Sequence, residues 1–175
     1  MIAKTQALED WSIPMPITES AQRIAKQFAS EQPTQEKAQQ VYLNTLAVCA
    51  VNNYLRIIGI STNLTVGDSW NKVMRLAVDV ADLWVSNLGR LECRPVEPGS
   101  LNCHIPQEVR LDRIAYIIVE IDKQFTLATL LGFSPTAASE LPINQLLTLE
   151  SLPEHLNKSS QLKQEPWILN SAKPC

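Results

Sequence analysis

Apolar positions along the chain change their spacing part-way, from helical in the front to strand-like in the rear. Residues 11–16 carry Pro14 and Pro16, which exclude a helix and predict an extended arm held by Trp11, Ile13 and Ile17. Behind Thr18 and Ser20, either of which can cap free amides, Ile24 and Phe28 lie four apart on one face and predict a helix over 18–30. Pro33 closes that segment. Thr34 caps a long second helix over 35–58, and Gly59 supplies the left-handed residue that ends it. Its stripe of Leu43, Leu46, Ala47, Ala50, Tyr54, Ile57 and Ile58 is widened by Val41, Val48, Val51 and Leu55, so the helix must be covered on more than one side. Asn44, Asn52 and Asn53 then need hydrogen-bond partners wherever they are buried.

Past a polar loop, Asp68 or Ser69 can cap a short turn carrying Trp70, Val73 and Met74. The run 76–85 fits helix or strand. Its valines, and the turn-like Ser86-Asn87-Leu88-Gly89 ahead of Arg90-Leu91-Glu92-Cys93-Arg94, favour a hairpin, so strand is expected. Pro95, Pro98 and Gly99 form a loop, Ile105-Pro106 opens a turn, and 114–121 with 126–133 make a second hairpin around Asp122-Lys123-Gln124. Leu146, Leu147, Leu149 and Leu152 mark a short helical region that Pro153 breaks. Helices first and strands afterward predict an α+β fold, with N-terminal helices packed on a small antiparallel sheet or open β-barrel and short C-terminal helical segments. The expected organisation is an extended arm over 1–17, one domain over 18–156, and a flexible tail over 157–175 whose adhesive patch is Trp167, Ile168 and Leu169.

Composition narrows the function classes. A chain of 175 residues with 45% hydrophobic and 19% charged residues can bury a core. Its net charge of -3 argues against a general phosphate-binding surface, and so against nucleic acid. The first ten residues lack the apolar run of a signal peptide, and Asn52, Asn53 and Arg56 interrupt the best membrane-span candidate. A cytoplasmic protein is expected, with Cys49, Cys93, Cys103 and Cys175 as free thiols.

Cys93, Cys103 and His104 are the strongest chemical grouping, since thiolates and imidazole bind zinc and one loop separates them. No fourth ligand at zinc spacing accompanies them, and small buried thiols explain the cysteines as well. His104 with Asp112 could in principle activate a thiol. No GxSxG, GxxxxGK[ST] or GxGxxG is present, so no catalytic residue and no cofactor is assigned. Glu92 and Arg94 flank Cys93 and turn it inward if they face water; with Glu108, Arg110, Asp112, Arg113 and Glu120 they read as a solvated face with local ion pairs. Trp70, Trp84, Tyr116 and Trp167 are candidate anchors for a partner, against the alternative of core packing.

Val41-Tyr42-Leu43-Asn44-Thr45-Leu46-Ala47-Val48, Asp68-Ser69-Trp70-Asn71, Ala81-Asp82-Leu83, Gly89-Arg90-Leu91-Glu92-Cys93-Arg94-Pro95-Val96 and Ala128-Thr129-Leu130-Leu131-Gly132-Phe133 together resemble a cyanobacterial family known as domain of unknown function 1822. The resemblance spans Val41 to Leu152. It implies a cyanobacterial cytoplasm and a regulatory partner, and it brings no catalytic residues. The expectation is a noncatalytic protein-interaction or regulatory domain that binds a protein partner or forms a homo-oligomer. A small metal-binding protein or enzyme using Cys93, Cys103 and His104 is the alternative.

Overall fold

Two side-chain caps start the helices where the sequence places them. Thr18 accepts the Ala21 amide and Thr34 the Lys37 amide, opening α1 (Glu19–Ser30) and α2 (Gln35–Ile57). Gly59, at φ +83°, adopts the left-handed conformation just beyond α2. The computed structural model describes residues 11–164, with side chains as far as residue 160. From Asn44 to Asn52 every residue of α2 is buried, with α1 and the sheet packed against the helix. Asn44 donates to the Asp79 carboxylate, and the Asn52 carbonyl accepts from the Thr62 hydroxyl.

The main sheet runs in the order β1 (Ile13–Pro16), β7 (Leu127–Ser134), β6 (Ala115–Ile121), β4 (Gly89–Val96), β3 (Asp82–Val85), β2 (Thr62–Asn63), and curls into a half-barrel. It is mixed rather than antiparallel. The chain leaves β4 at Val96, makes a long crossover, and returns as β6 parallel to β4; the other neighbours are antiparallel. Within that crossover lies β5 (Asn102–His104), which pairs with β8 (Glu140–Pro142) in a separate two-stranded ribbon. Residues 13–16 of the expected arm are thus an edge strand. Ile17 donates to Thr126, so Ile13 and Met15 bond to β7 while Pro14 and Pro16, which have no N–H, face the open edge.

Residues 76–85 divide between two elements. Asn71 caps α3 (Lys72–Ala77) by accepting the Met74 amide, residues 78–81 are irregular, and only Asp82–Val85 are strand. Pro153 opens a helix rather than ending one. It sits in the first turn of α4 (Leu152–Gln164), where its missing N–H has no intrahelical role, and the helix continues past residue 156.

Alternation along the strands gives two cores. The inner face, with Leu91, Cys93, Ile117, Val119 and Leu130, packs with α2 residues such as Leu46 and Leu55 and with Leu152 and Leu156 of α4. Tyr116 and Ile118 on the outer face pack with Val80, Cys103, Ile105, Val109 and Leu141. A bulge in β7 re-aims its end: Leu130 pairs with Val119 and Gly132 with Ile118, leaving Leu131 extra. After it, Phe133 exchanges hydrogen bonds of 2.9 and 2.8 Å with Leu147. Gly132 has φ +150°, and a Cβ there would lie 2.5 Å from the Leu147 carbonyl oxygen. Gly132→Ala is therefore expected to cost about 1–3 kcal/mol in urea unfolding, since backbone strain and the close approach act together; an unchanged midpoint would contradict this role for the bulge.

Candidate functional site

The outer face of β4 presents Arg90, Glu92 and Arg94, alternating with Leu91 and Cys93 on the inner face. Glu92 is fully buried. One of its oxygens accepts from the Ala81 amide at 2.8 Å and from Arg94 Nη1 at 3.2 Å, and the other accepts from Arg113 Nε at 2.8 Å. Arg94 Nη2 spans both Asp79 oxygens at 2.9 Å. Directly across the ladder from Glu92 lies Asp82, which accepts the amides of Asp68 and Ser69 at 3.0 and 2.7 Å. Arg90 reaches Asp68 at 2.9 Å and Asp82 at 3.5 Å. Beside this cluster, Arg75 bonds Glu31 at 3.0 Å and lies 3.5 Å from the centre of the Phe28 ring.

Two carboxylates facing each other across a ladder repel unless each has its own counter-charge. Arg94 and Arg113 serve Glu92, and Arg90 with two amides serves Asp82. Burial raises the Glu92 pKa above the ordinary carboxylate value, and Arg94 and Arg113, which pull it down, offset this only in part. Every polar neighbour of its oxygens is a donor, a set that suits the ionised form. Burial likewise works against the Arg94 charge, but Asp79 and Glu92 outweigh it and raise the pKa. An adjacent depression lined by Asn44, Thr45, Ser69 and Arg75 is too narrow to admit a water molecule.

The structure separates the cysteine–histidine grouping. Cys93 lies in the inner core and Cys103 in the outer one, with the sheet between them. His104 is exposed on the ribbon, its Nδ1 3.0 Å from Glu140 rather than against Asp112 or a thiol. Burial pushes the Cys49 and Cys103 thiols up to about 11. Burial, then Glu92 and Asp82, holds Cys93 well above the ordinary thiol range. Thiolate, the form that attacks or binds metal, is therefore scarce at neutral pH. Among the described residues, no three His, Cys, Asp or Glu side chains gather to hold a metal.

The solvated-face reading of Glu92 and Arg94 is corrected: both are buried, because opposite charges neutralise them. Their shared period-two face with Arg90, opposite an Asp on the neighbouring strand, is the sequence signal for that pairing. Tyr116 is core, with its hydroxyl donating to the Val109 carbonyl at 3.0 Å. Trp70 is half-buried, edge-on to Phe28, and Trp84 is half-buried with Arg90 5.6 Å from its ring centre. Trp167, Ile168, Leu169 and Cys175 lie outside the described residues.

A family model described as "Protein of unknown function (DUF1822)" matches residues 15–167. The chain belongs to DUF1822. No curated protein and no solved structure matches it. Among the described residues of this DUF1822 chain, no helix is long and apolar enough to cross a membrane.

Glu92→Gln in this DUF1822 chain keeps the side chain's size but removes the carboxylate that Arg113 pairs with and leaves Arg94 with Asp79 alone. Urea unfolding is expected to show a loss of about 3–5 kcal/mol, against roughly 0.5 kcal/mol or less for the control Glu120→Gln. In a Cys175→Ser background, Ellman's reagent at pH 8 is expected to label Cys49, Cys93 and Cys103 only after denaturation. Rapid labelling of the native protein would contradict their burial.

Proposed function

We propose that this DUF1822 chain is a noncatalytic protein-interaction domain with a regulatory role, working in the cytoplasm of a cyanobacterium. The observation that carries the reading is the division of its side chains. Asp82, Glu92, Arg75 and Arg94 are buried and neutralised internally, whereas Ile57, Val73, Leu101 and Leu111 are 70% exposed or more. Acid–base or nucleophilic catalysis needs a titrating group within reach of a substrate, and the three described thiols are buried and protonated. Apolar contact with another protein needs neither.

The same division bears on alternative partners. Arg75, Arg90, Arg94 and Arg113 are tied into internal ion pairs, which removes them from the cations that a nucleic-acid backbone would require. The sequence blocks resembling the cyanobacterial family support the source and compartment. Affinity capture from a cyanobacterial lysate is expected to return a defined protein at near-equal stoichiometry. Val73→Glu or Leu111→Glu is expected to lower that capture by about tenfold where the residue lies at the contact, with Tm nearly unchanged. A monomeric chain that captures no protein overturns the reading, and turnover of a substrate would replace it.

A further inference from the structure

Backbone parity in the small ribbon leaves one strand edge open. Ile105 donates to the Ser139 carbonyl at 3.0 Å and Ile143 to the Leu101 carbonyl at 2.9 Å, in the register that pairs Cys103 with Leu141. Hydrogen-bonded and non-hydrogen-bonded pairs alternate along an antiparallel ladder. Leu101, Cys103 and Ile105 therefore turn their main-chain groups toward β8, and Asn102 and His104 turn theirs away. Among the described residues neither of those two amides has a partner, and the His104 carbonyl receives only the Cys103 thiol at 3.7 Å.

The other edges are closed or minimal. β1 points Pro14 and Pro16 outward, β8 carries Pro142 at one of its two outward positions, and Pro95 occupies the side of β4 that β3 does not reach. Proline has no N–H to offer another strand. The free edge of β2 amounts to Thr62 alone, flanked by a turn. Beside the open edge of β5 stands Leu101, at 81% the most exposed large apolar side chain among the described residues.

We propose that two copies of this chain join along β5 about a two-fold axis; this rests on the interaction reading above and names the partner. An antiparallel register centred on Cys103 sets Asn102 of one copy opposite His104 of the other, and each such pair exchanges both N–H···O bonds. The edge is thus self-complementary, as a two-fold contact requires. On the exposed face the row runs Glu140, His104, then Asn102 and Pro142 of the second copy, so no like charges meet. Leu101 falls opposite Ile105 of the second copy, at the rim of the contact.

Sedimentation equilibrium of the full chain over a concentration series is expected to show monomer and dimer in exchange. Asn102→Pro and His104→Pro each remove one outward amide without touching the β8 ladder, and Leu101→Glu places a charge beside the edge. Each is expected to weaken the dimer by about tenfold or more, with circular dichroism confirming the fold. Should a proline variant unfold, Leu101→Glu and hydrogen exchange of the wild type decide, because the Asn102 and His104 amides slow as the dimer fills. A wild type that stays monomeric overturns the pairing, as does a dimer indifferent to Leu101→Glu in which both amides exchange rapidly. If that monomer still captures a different protein from lysate, the interaction reading stands without this partner; if it captures none, both fall.

Discussion

A carboxylate shut away from water has to be neutralised where it sits, and Glu92 draws its counter-groups from three stretches of chain. The Ala81 amide comes from the irregular segment before β3, Arg94 from the same strand, and Arg113 from the residues that lead into β6. Desolvating these ions costs several kcal/mol each, and the return is register. The parallel pair sets Glu92 beside Tyr116; sliding β6 by one residue would withdraw Arg113 and leave one buried Glu92 oxygen without its donor. Asp82 does the same for the preceding connection, holding the amides of Asp68 and Ser69. That stretch leaves Val66, Val73 and Leu76 exposed, so charge and hydrogen bonding fasten it where apolar burial is thin.

Much of the architecture was legible because periodic spacing and capping chemistry agreed. Thr18, Thr34 and Gly59 mark their helices locally, and the β6–β7 hairpin is an Ile- and Val-rich run answered by a second apolar run. The segment 76–85 was not legible as a unit because a helix end, an irregular stretch and a strand share it, with Val80 and Ala81 entering different cores. The ribbon escaped notice because three-residue strands are too short to show a period, and the parallel pair because sequence order says nothing of direction across a long crossover. Pro153 is ambiguous in sequence because proline breaks a helix in its interior and is welcome in its first turn.

At the site, sequence proximity and chemical identity pointed to Cys93, Cys103 and His104, and neither conveys which face of a sheet a residue occupies. One strand's alternation sends Cys93 to the inner core, while the ribbon carries Cys103 to the outer one and leaves His104 in water. Glu92 and Arg94 carry no sequence mark of their burial, since a charged side chain looks the same in sequence whether water or a guanidinium neutralises it. Only the fold, which brings Arg113 and the Ala81 amide onto Glu92, reveals the difference.

The outward prolines of β1 also bear on the order of events during synthesis. Ile13 and Met15 leave the ribosome early, yet their ladder partners Leu130 and Ala128 are among the late residues of the sheet. Contacts of such separation form late, so β1 must wait for nearly the whole sheet. A waiting strand with two usable edges could recruit any passing extended chain. With Pro14 and Pro16 on one side, β1 can zip along a single edge, so nascent chains are discouraged from stacking on one another before β7 arrives.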